Sequence, residues 1–358
     1  MNIKQRLDLI KQVGEEIVTE DNLKKVLETN KKPIAYDGFE PSGTTIHIAQ
    51  GLLRAVNVNK MTKAGCKFKF LVADWHAWAN NKMGGNLEHI QKVGKYLIEV
   101  WKGCDMDLKN VEFIWASDLL NNRDYWKTVL QIARNSTVKR IIRTGEIMGR
   151  AESEVLQSSQ IIYPCMQAAD IFHLKAEITQ LGMDQRKVNI LAREIGPKIG
   201  LWKPVIISHH MLMGLGEPPK GEKSVDRAIE MKMSKSNPDS AIFMNDEGNE
   251  IKRKISKAYC PAGIVEENPI LEYCKYIIFE KFKTVKIERP KKFGGNLSFS
   301  SYNELENAFS KKKLHPMALK QGEGEYLDRL IVPVRRKLDK NVAAQKLAQE
   351  IKSFEVTR

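Results

Sequence analysis

Between Ile34 and Val72 the chain spells out a complete strand–turn–helix–strand unit, and nothing else in the sequence constrains the fold as much. Ile34 to Tyr36 reads as a short buried strand behind the break at Pro33. A turn rich in Gly, Ser and Pro follows, from Gly38 to Gly43. From about Ile48 to Lys63 the positions Leu52, Val56 and Lys60 recur on one helical face, and Gly65 ends the helix. Phe68, Phe70 and Val72 then alternate with Lys67, Lys69 and Leu71 as a second strand. Strands joined through a helix lie parallel with a right-handed crossover, so this part of the chain is committed to a parallel sheet covered by helices.

The alternation continues. Leu87 to Trp101 is expected to be helical, with Ile90, Val93, Leu97 and Trp101 in step. Val111–Trp115 reads as a strand, and Val205–Ser208 as a last buried strand. Residues 121–172 read as helical throughout and interrupt the sheet pattern. The expected fold class is α/β: a Rossmann-like doubly wound parallel sheet with a helical insertion, followed by a mainly α-helical C-terminal domain. The expected organisation is an N-terminal helical segment over 1–30, a nucleotide-binding domain over 31–240 with its insertion at about 115–170, and a helical domain over 245–358. The first segment rests on Ile3, Leu7, Ile10, Val13 and Ile17 at helical spacing. The last rests on a shift toward Lys and Glu, with helical periodicity at Ile251–Cys260 and Pro269–Phe279. Residues 214–240, rich in Gly, Pro and Lys, are expected to form a mobile loop.

The 358 residues leave room for two domains, and 42% hydrophobic with 28% charged residues suits a soluble globular chain. No apolar run reaches membrane-spanning length, and residues 1–11 hold no secretory apolar block. The five cysteines are scattered, which argues against structural zinc or a disulfide framework and for a reducing, cytoplasmic setting. A net charge of +14 favours a polyanionic partner, without separating tRNA from DNA, ribosomes or acidic membranes.

Four segments carry chemistry. In Lys232-Met233-Ser234-Lys235-Ser236 two lysines flank two serines, a pattern suited to closing over a polyphosphate, although a solvated basic loop would look the same. Tyr36-Asp37-Gly38-Phe39-Glu40-Pro41-Ser42-Gly43 leads into His47-Ile48-Ala49-Gln50, where nucleotides bind in doubly wound sheets. Tyr163, Gln167 and Asp170 fall at i, i+4 and i+7 amid Ile161, Ile162, Met166 and Ile171. Three polar groups there are costly in a core without partners; an amphipathic helix with its polar face in water is the alternative. In Gly182-Met183-Asp184-Gln185-Arg186-Lys187, Asp184 suits either ribose hydroxyls or a helix cap.

Together, in this order, these segments resemble the class I aminoacyl-tRNA synthetases, and the surrounding words resemble tyrosyl-tRNA synthetase of the archaeal and eukaryotic type, over about residues 30–340. The resemblance implies an ATP site of Gly38, Glu40, His47, Gln50, Gly182, Asp184 and the loop Lys232, Met233, Ser234, Lys235 and Ser236, with His47, Lys232 and Lys235 as the catalytic contacts. It implies that Tyr36 and Asp170 hold a substrate phenol, that Tyr163, Gln167 and Asp74 hold its ammonium, and that Gln185 holds either its carboxylate or the new acyl-phosphate oxygen. It implies acceptor-stem contacts at Lys139, Arg140, Arg143 and Arg186, and an anticodon contact at Asn296. The chain departs from the family pattern at Ala49, Gln50, Asn237 and Asn296. The implied activity is ATP-dependent formation of tyrosyl-adenylate and transfer to tRNA(Tyr), by a homodimer joined through about 115–170. Magnesium would enter with ATP, with no prosthetic group, no dedicated metal site and no membrane. Two rivals stay open: a tryptophanyl-tRNA synthetase, against which Tyr36 and Asp170 argue, and a catalytically silent RNA-binding relative.

Overall fold

The computed structural model describes residues 1–145, 157–221, 231, 233 and 237–356. Six strands form one sheet: β1 (Gly14–Val18), β2 (Ile34–Phe39), β3 (Lys67–Val72), β4 (Val111–Trp115), β5 (Ile178–Gly182) and β6 (Val205–His209). Their order is β1-β6-β5-β2-β3-β4. Strands β2 to β6 run parallel, and β1 closes one edge antiparallel to β6. The inner strands are covered on both faces, as a parallel sheet between helical layers requires.

Two expectations are corrected. Residues 1–30 are not one helix: α1 (Ile3–Lys11) and α2 (Glu20–Thr29) are separated by β1. Gly14 breaks the helix, and a side chain there would meet Ile207 Cγ2 at 2.9 Å, so the glycine permits the close approach of β1 to β6. The helical spacing of Val13 and Ile17 was coincidental. The second correction is β5, which sequence patterning missed. Thr179 and Gln180 are both fully buried in it, and two polar residues in five erase the apolar run that marks a central strand.

After β2, one wide turn over Ala49–Leu53 runs straight into α3 (Arg54–Lys63). β3 leads to α4 (Asp74–Ala79), α5 (Leu87–Gly103) and β4. The insertion is helical in its described residues: α6 (Ala116–Leu120), α7 (Arg123–Arg134), α8 (Val138–Thr144) and α9 (Ser158–His173), with α7 packed along α9. α10 (Arg186–Ile195) joins β5 to β6. Side chains of β2 alternate between the two helical layers. Tyr36 joins a core with α7 and α9, while Ala35 and Phe39 join the larger core with α3 and α5.

The C-terminal part is α11 (Gly248–Lys257), α12 (Pro269–Tyr273), the hairpin β7 (Val285–Ile287) and β8 (Leu297–Phe299), α13 (Tyr302–Ser310), α14 (Pro316–Asp339) and α15 (Val342–Ile351). The hairpin is the one β element in this mainly helical part among the described residues. α14 and α15 pack on α5, and their apolar residues share one core with the sheet's larger layer. The change of composition near 245 therefore marks no gap in packing. Ile48 N–H donates to Ile242 O and Met244 N–H to Ile46 O, both at 2.9 Å, so the connection is stitched to the segment around His47.

Candidate active site

The sheet order reverses between β2 and β5: β3 and β4 lie on one side of β2, and β5 and β6 on the other. Ligands in such sheets bind beyond the carboxyl ends of the strands at this reversal. Here those ends carry Phe39-Glu40 and Gly182-Met183-Asp184, and α9 crosses beside them with Tyr163, Gln167 and Asp170.

Asp170 is the electrostatic centre of the first half of the site. It is fully buried, so its charge requires partners. Tyr125 Oη donates to its Oδ1 at 2.8 Å, and His76 Nε2 lies 2.9 Å from its Oδ2. Burial alone would push the His76 pKa down, but the adjoining Asp170, with Glu40 and Asp74 behind it, raises it overall. Burial, reinforced by Asp170, drives the phenols of Tyr36 and Tyr125 well above their usual range, so both stay neutral donors. Tyr163 is likewise buried and neutral, with its phenol hydrogen-bonded to Glu40 and its ring edge-on to His76 at 5.2 Å. Gln167 Nε2 donates to Gln185 Oε1 at 3.0 Å, which ties α9 to the turn after β5. The structure thus brings Tyr36, Tyr163, Gln167, Asp170 and Gln185 together. The polar face of α9 is buried, so the alternative of a solvated amphipathic helix fails.

Sequence reasoning missed His76 and Tyr125. His76 lies two residues beyond Asp74, and Tyr125 opens α7; neither carries a local signal that it faces Asp170. Asp74 sits differently from the rest. It is fully buried, with Oδ2 accepting from Gln91 Nε2 at 3.0 Å and Oδ1 from Ser117 N–H at 3.1 Å. Its charge adjoins the pocket, while these two bonds direct it toward α5 and α6.

The second half of the site follows the carboxyl end of β2. Gly38 lies inside the strand rather than after it, and a Cβ there would sit 3.2 Å from Tyr36 Oη. Glu40 accepts from Asn80 Nδ2 at 3.2 Å. His47 is partly buried and bridges in strand fashion to Phe243. Gln50 follows in the wide turn, with its carbonyl accepting from Trp101 Nε1 at 2.8 Å. Opposite, a Cβ on Gly182 would meet Met211 Sδ at 2.5 Å and Asp184 Oδ1 at 2.6 Å, so both side chains would have to shift to admit one. Asp184 is exposed and its side chain caps neither the turn nor α10, which removes the capping alternative. Met233 is buried, while Lys232, Ser234, Lys235 and Ser236 lie outside the described residues.

The basic residues are spread over three places. Lys139 and Arg143 are exposed on α8, and Arg140 is paired with Glu194 at 2.6 Å. Arg186 makes a two-pronged contact with Glu16 of β1, at 2.5 and 2.9 Å. Asn296 is exposed at the end of the β7–β8 connection, where its Oδ1 accepts from Arg289 N–H at 3.0 Å. Among the described residues no group of three or more His, Cys, Asp or Glu is placed to hold a metal ion, and no helix is long and apolar enough to cross a membrane.

The chain and its fold match known proteins. Residues 28–330 match the family model of class I tRNA synthetases for tryptophan and tyrosine. Tyrosine–tRNA ligase 1, cytoplasmic, of Arabidopsis thaliana is 47% identical over 99% of the chain and 90% of its own length. Tyrosine–tRNA ligase 2, cytoplasmic, of the same plant is 48% identical, and there the chain spans 46% of the relative's length. The crystal structure of tyrosyl-tRNA synthetase complexed with L-tyrosine from Pyrococcus horikoshii superposes with a TM-score of 0.91, at 39% identity, covering 98% of this chain and 100% of that one.

Proposed function

Since this chain belongs to the class I tRNA synthetases of the tryptophan and tyrosine type, we propose that it works as a tyrosine–tRNA ligase. The observation that carries the choice of tyrosine is Asp170, a buried carboxylate flanked by neutral phenols and an imidazole at the bottom of the site. A phenol hydroxyl donates to such a group. A bare phenyl ring leaves it a partner short, at the cost of a buried unsatisfied acceptor, and an indole carries its one N–H donor at a different place on a larger ring.

In this reading tyrosine lies with its hydroxyl between Tyr36 and Asp170. Its ammonium faces Tyr163 and Gln167, with Asp74 adding negative charge behind them. Gln185 orients its carboxylate toward the α-phosphate of ATP. That carboxylate is already ionised at neutral pH, so the first step needs no general base. The protein's task is to align the attack and stabilise the departing pyrophosphate. His47 donates to the phosphates, Gln50 and Asp184 take the ribose side, and the glycines at 38 and 182 let backbone approach the nucleotide. Glu40 supports the phosphate turn through Tyr163. Lys232 and Lys235, with Met233, Ser234 and Ser236, close over the pyrophosphate. ATP is a substrate; magnesium travels with it and needs no carboxylate cage of protein.

The adenylate then acylates the 3′-end of tRNA(Tyr). Lys139, Arg140, Arg143 and Arg186 steer the acceptor stem, and Asn296 contacts the anticodon. We assign a homodimer joined through the helical insertion, where Leu130 and Trp126 of α7 are 68% and 38% exposed. The plant relatives named as cytoplasmic support a cytoplasmic enzyme. The test is charging of a tRNA(Tyr) transcript with radiolabelled tyrosine. Acid-stable, alkali-labile label on that transcript and none on a tRNA(Trp) transcript is the expected result; charging of tRNA(Trp) with tryptophan would overturn the reading.

A further inference from the structure

Asp37 stands between Tyr36 and Gly38 on β2, yet it faces away from the tyrosine pocket, into the core beneath the nucleotide turn. It is fully buried. Its Oδ2 is 2.7 Å from Arg54 Nε, and its Oδ1 accepts the N–H of Gly38 at 2.7 Å. Arg54 Nη2 donates to the carbonyl of Gly38 and reaches Asp37 Oδ1, both at 3.3 Å. The guanidinium lies over the rings of Phe70, at 5.1 Å, and Trp101, at 5.9 Å. Trp101 in turn donates its indole N–H to the carbonyl of Gln50. Two segments that adjoin the nucleotide, the end of β2 and the turn of residues 47–50, are therefore tied to one buried hub built around the cation of Arg54.

Ion pairs this deep contribute little net stability against an apolar replacement, because both charges lose their water. They do fix geometry, since removing one partner strands the other. A guanidinium adds what an ammonium lacks, namely several donors in one plane and a flat face for aromatic rings.

We propose that Arg54 is a positioning residue for ATP: it locks the Gly38 end of β2 to the start of α3, so that the backbone at Gly38 and the turn carrying His47 and Gln50 form one rigid nucleotide cradle. The proposal rests on the tyrosine–tRNA ligase reading for its substrate. The charged groups around Asp37 are Arg54 from α3 and Asp184 from the turn after β5, with Tyr36 beside it on the strand; His209, at the end of β6, faces Arg54. Burial raises Asp37 to about 6, against the lowering effect of Arg54. Burial and Arg54 push His209 down to about 3, so it stays neutral through the working range. Asp37 is thus the group of the hub that titrates near physiological pH, and protonating it loosens the tie to Arg54.

The experiment compares full-length wild type with Arg54→Met, Arg54→Lys and Asp37→Asn. The readouts are tyrosine-dependent ATP–pyrophosphate exchange at varied ATP and pH, tyrosine affinity without ATP, and Tm. Arg54→Met should raise the KM for ATP by roughly tenfold or more, the worth of one charge-assisted hydrogen bond, and leave tyrosine affinity within about twofold. Arg54→Lys, which keeps the charge and loses the fork, should fall between. In wild type kcat/KM for ATP should decline as pH falls through about 6. In Arg54→Met the opposing charge is gone, so that limb moves to higher pH, which a merely structural defect would not do. If Arg54→Met does not fold, Arg54→Lys and Asp37→Asn carry the test. An unchanged KM for ATP in the folded variants, or a loss of tyrosine affinity as large as that of ATP, overturns the proposal. If wild type itself lacks tyrosine-dependent exchange, the functional reading fails instead.

Discussion

His76 Nε2 lies 2.9 Å from Asp170 Oδ2, with both side chains sealed from solvent. The imidazole gives the carboxylate one fixed partner and Tyr125 gives it another, so Asp170 meets a substrate hydroxyl in a single orientation. A recognition group held this way discriminates by what it leaves unpaired. Asp170→Ala should lower activity with tyrosine and shrink its advantage over phenylalanine, by ~1–3 kcal/mol in the ratio of kcat/KM. Tyr36→Phe should do the same to a smaller extent. Steady-state exchange with both amino acids checks this; an unchanged ratio in folded Asp170→Ala removes Asp170 from the phenol contact.

Lys232→Ala and Lys235→Ala should slow adenylate formation while sparing tyrosine affinity. Their charges matter when the pyrophosphate leaves, and a preorganised donor of that kind is worth ~10²–10³ in rate. Stopped-flow fluorescence separates tyrosine binding from the chemical step. A collapse of tyrosine affinity at an unchanged chemical rate would move these lysines into the amino-acid pocket.

The chain should be a dimer in solution. Leu130 and Trp126 project from α7 with Arg123, Lys127 and Arg134 around them, and an apolar pair inside a basic rim is costly to leave in water. Light scattering at micromolar concentration should give twice 40.9 kDa, and Leu130→Asp should shift it toward the monomer. The monomer mass for wild type would contradict this.

Stability should fall as the solution becomes alkaline, and His210 should be a cause. Its Nδ1 is 2.6 Å from Glu15 of β1, its Nε2 is 3.1 Å from Glu272 of α12, and its ring stacks on Tyr276. Burial alone would lower its pKa, but the two carboxylates outweigh it and raise it to about 9; Lys275 and the neutral His209 are the other titratable neighbours. A histidine raised on folding contributes stability that is complete below its unfolded pKa of about 6.5 and is lost as pH rises through about 9. Tm measured from pH 6 to 10 should drop more in wild type than in His210→Gln, and parallel curves would refute the role. The effect links two parts of the chain, since Glu272 Oε2 also accepts from Met213 N–H and Tyr273 Oη donates to Met213 O.

The unit from Ile34 to Val72 was legible because its apolar residues keep the right period and Gly65 marks the stop. β5 was not, because Thr179 and Gln180 are polar yet buried, and Gln180 Nε2 finds its partner in His209 on the next strand. β1 was hidden by a helical period that carries on past Gly14 into an edge strand. Within the site, Tyr36, Tyr163, Gln167 and Asp170 could be read from one strand and one helix. His76 and Tyr125 complete the Asp170 cluster across the fold, at separations no local pattern encodes. Asp74 was legible as a residue of the region, but its bonds to Gln91 and Ser117 emerge only from packing.

The central claim is that Asp170 and Tyr36 select tyrosine for activation by ATP. The most direct measurement is ATP–pyrophosphate exchange by the purified chain, supplied in turn with tyrosine, tryptophan and phenylalanine at equal concentration. The account predicts rapid exchange with tyrosine and near-background exchange with the other two. Exchange driven by tryptophan, or none with any of them while ATP binds normally, would contradict it.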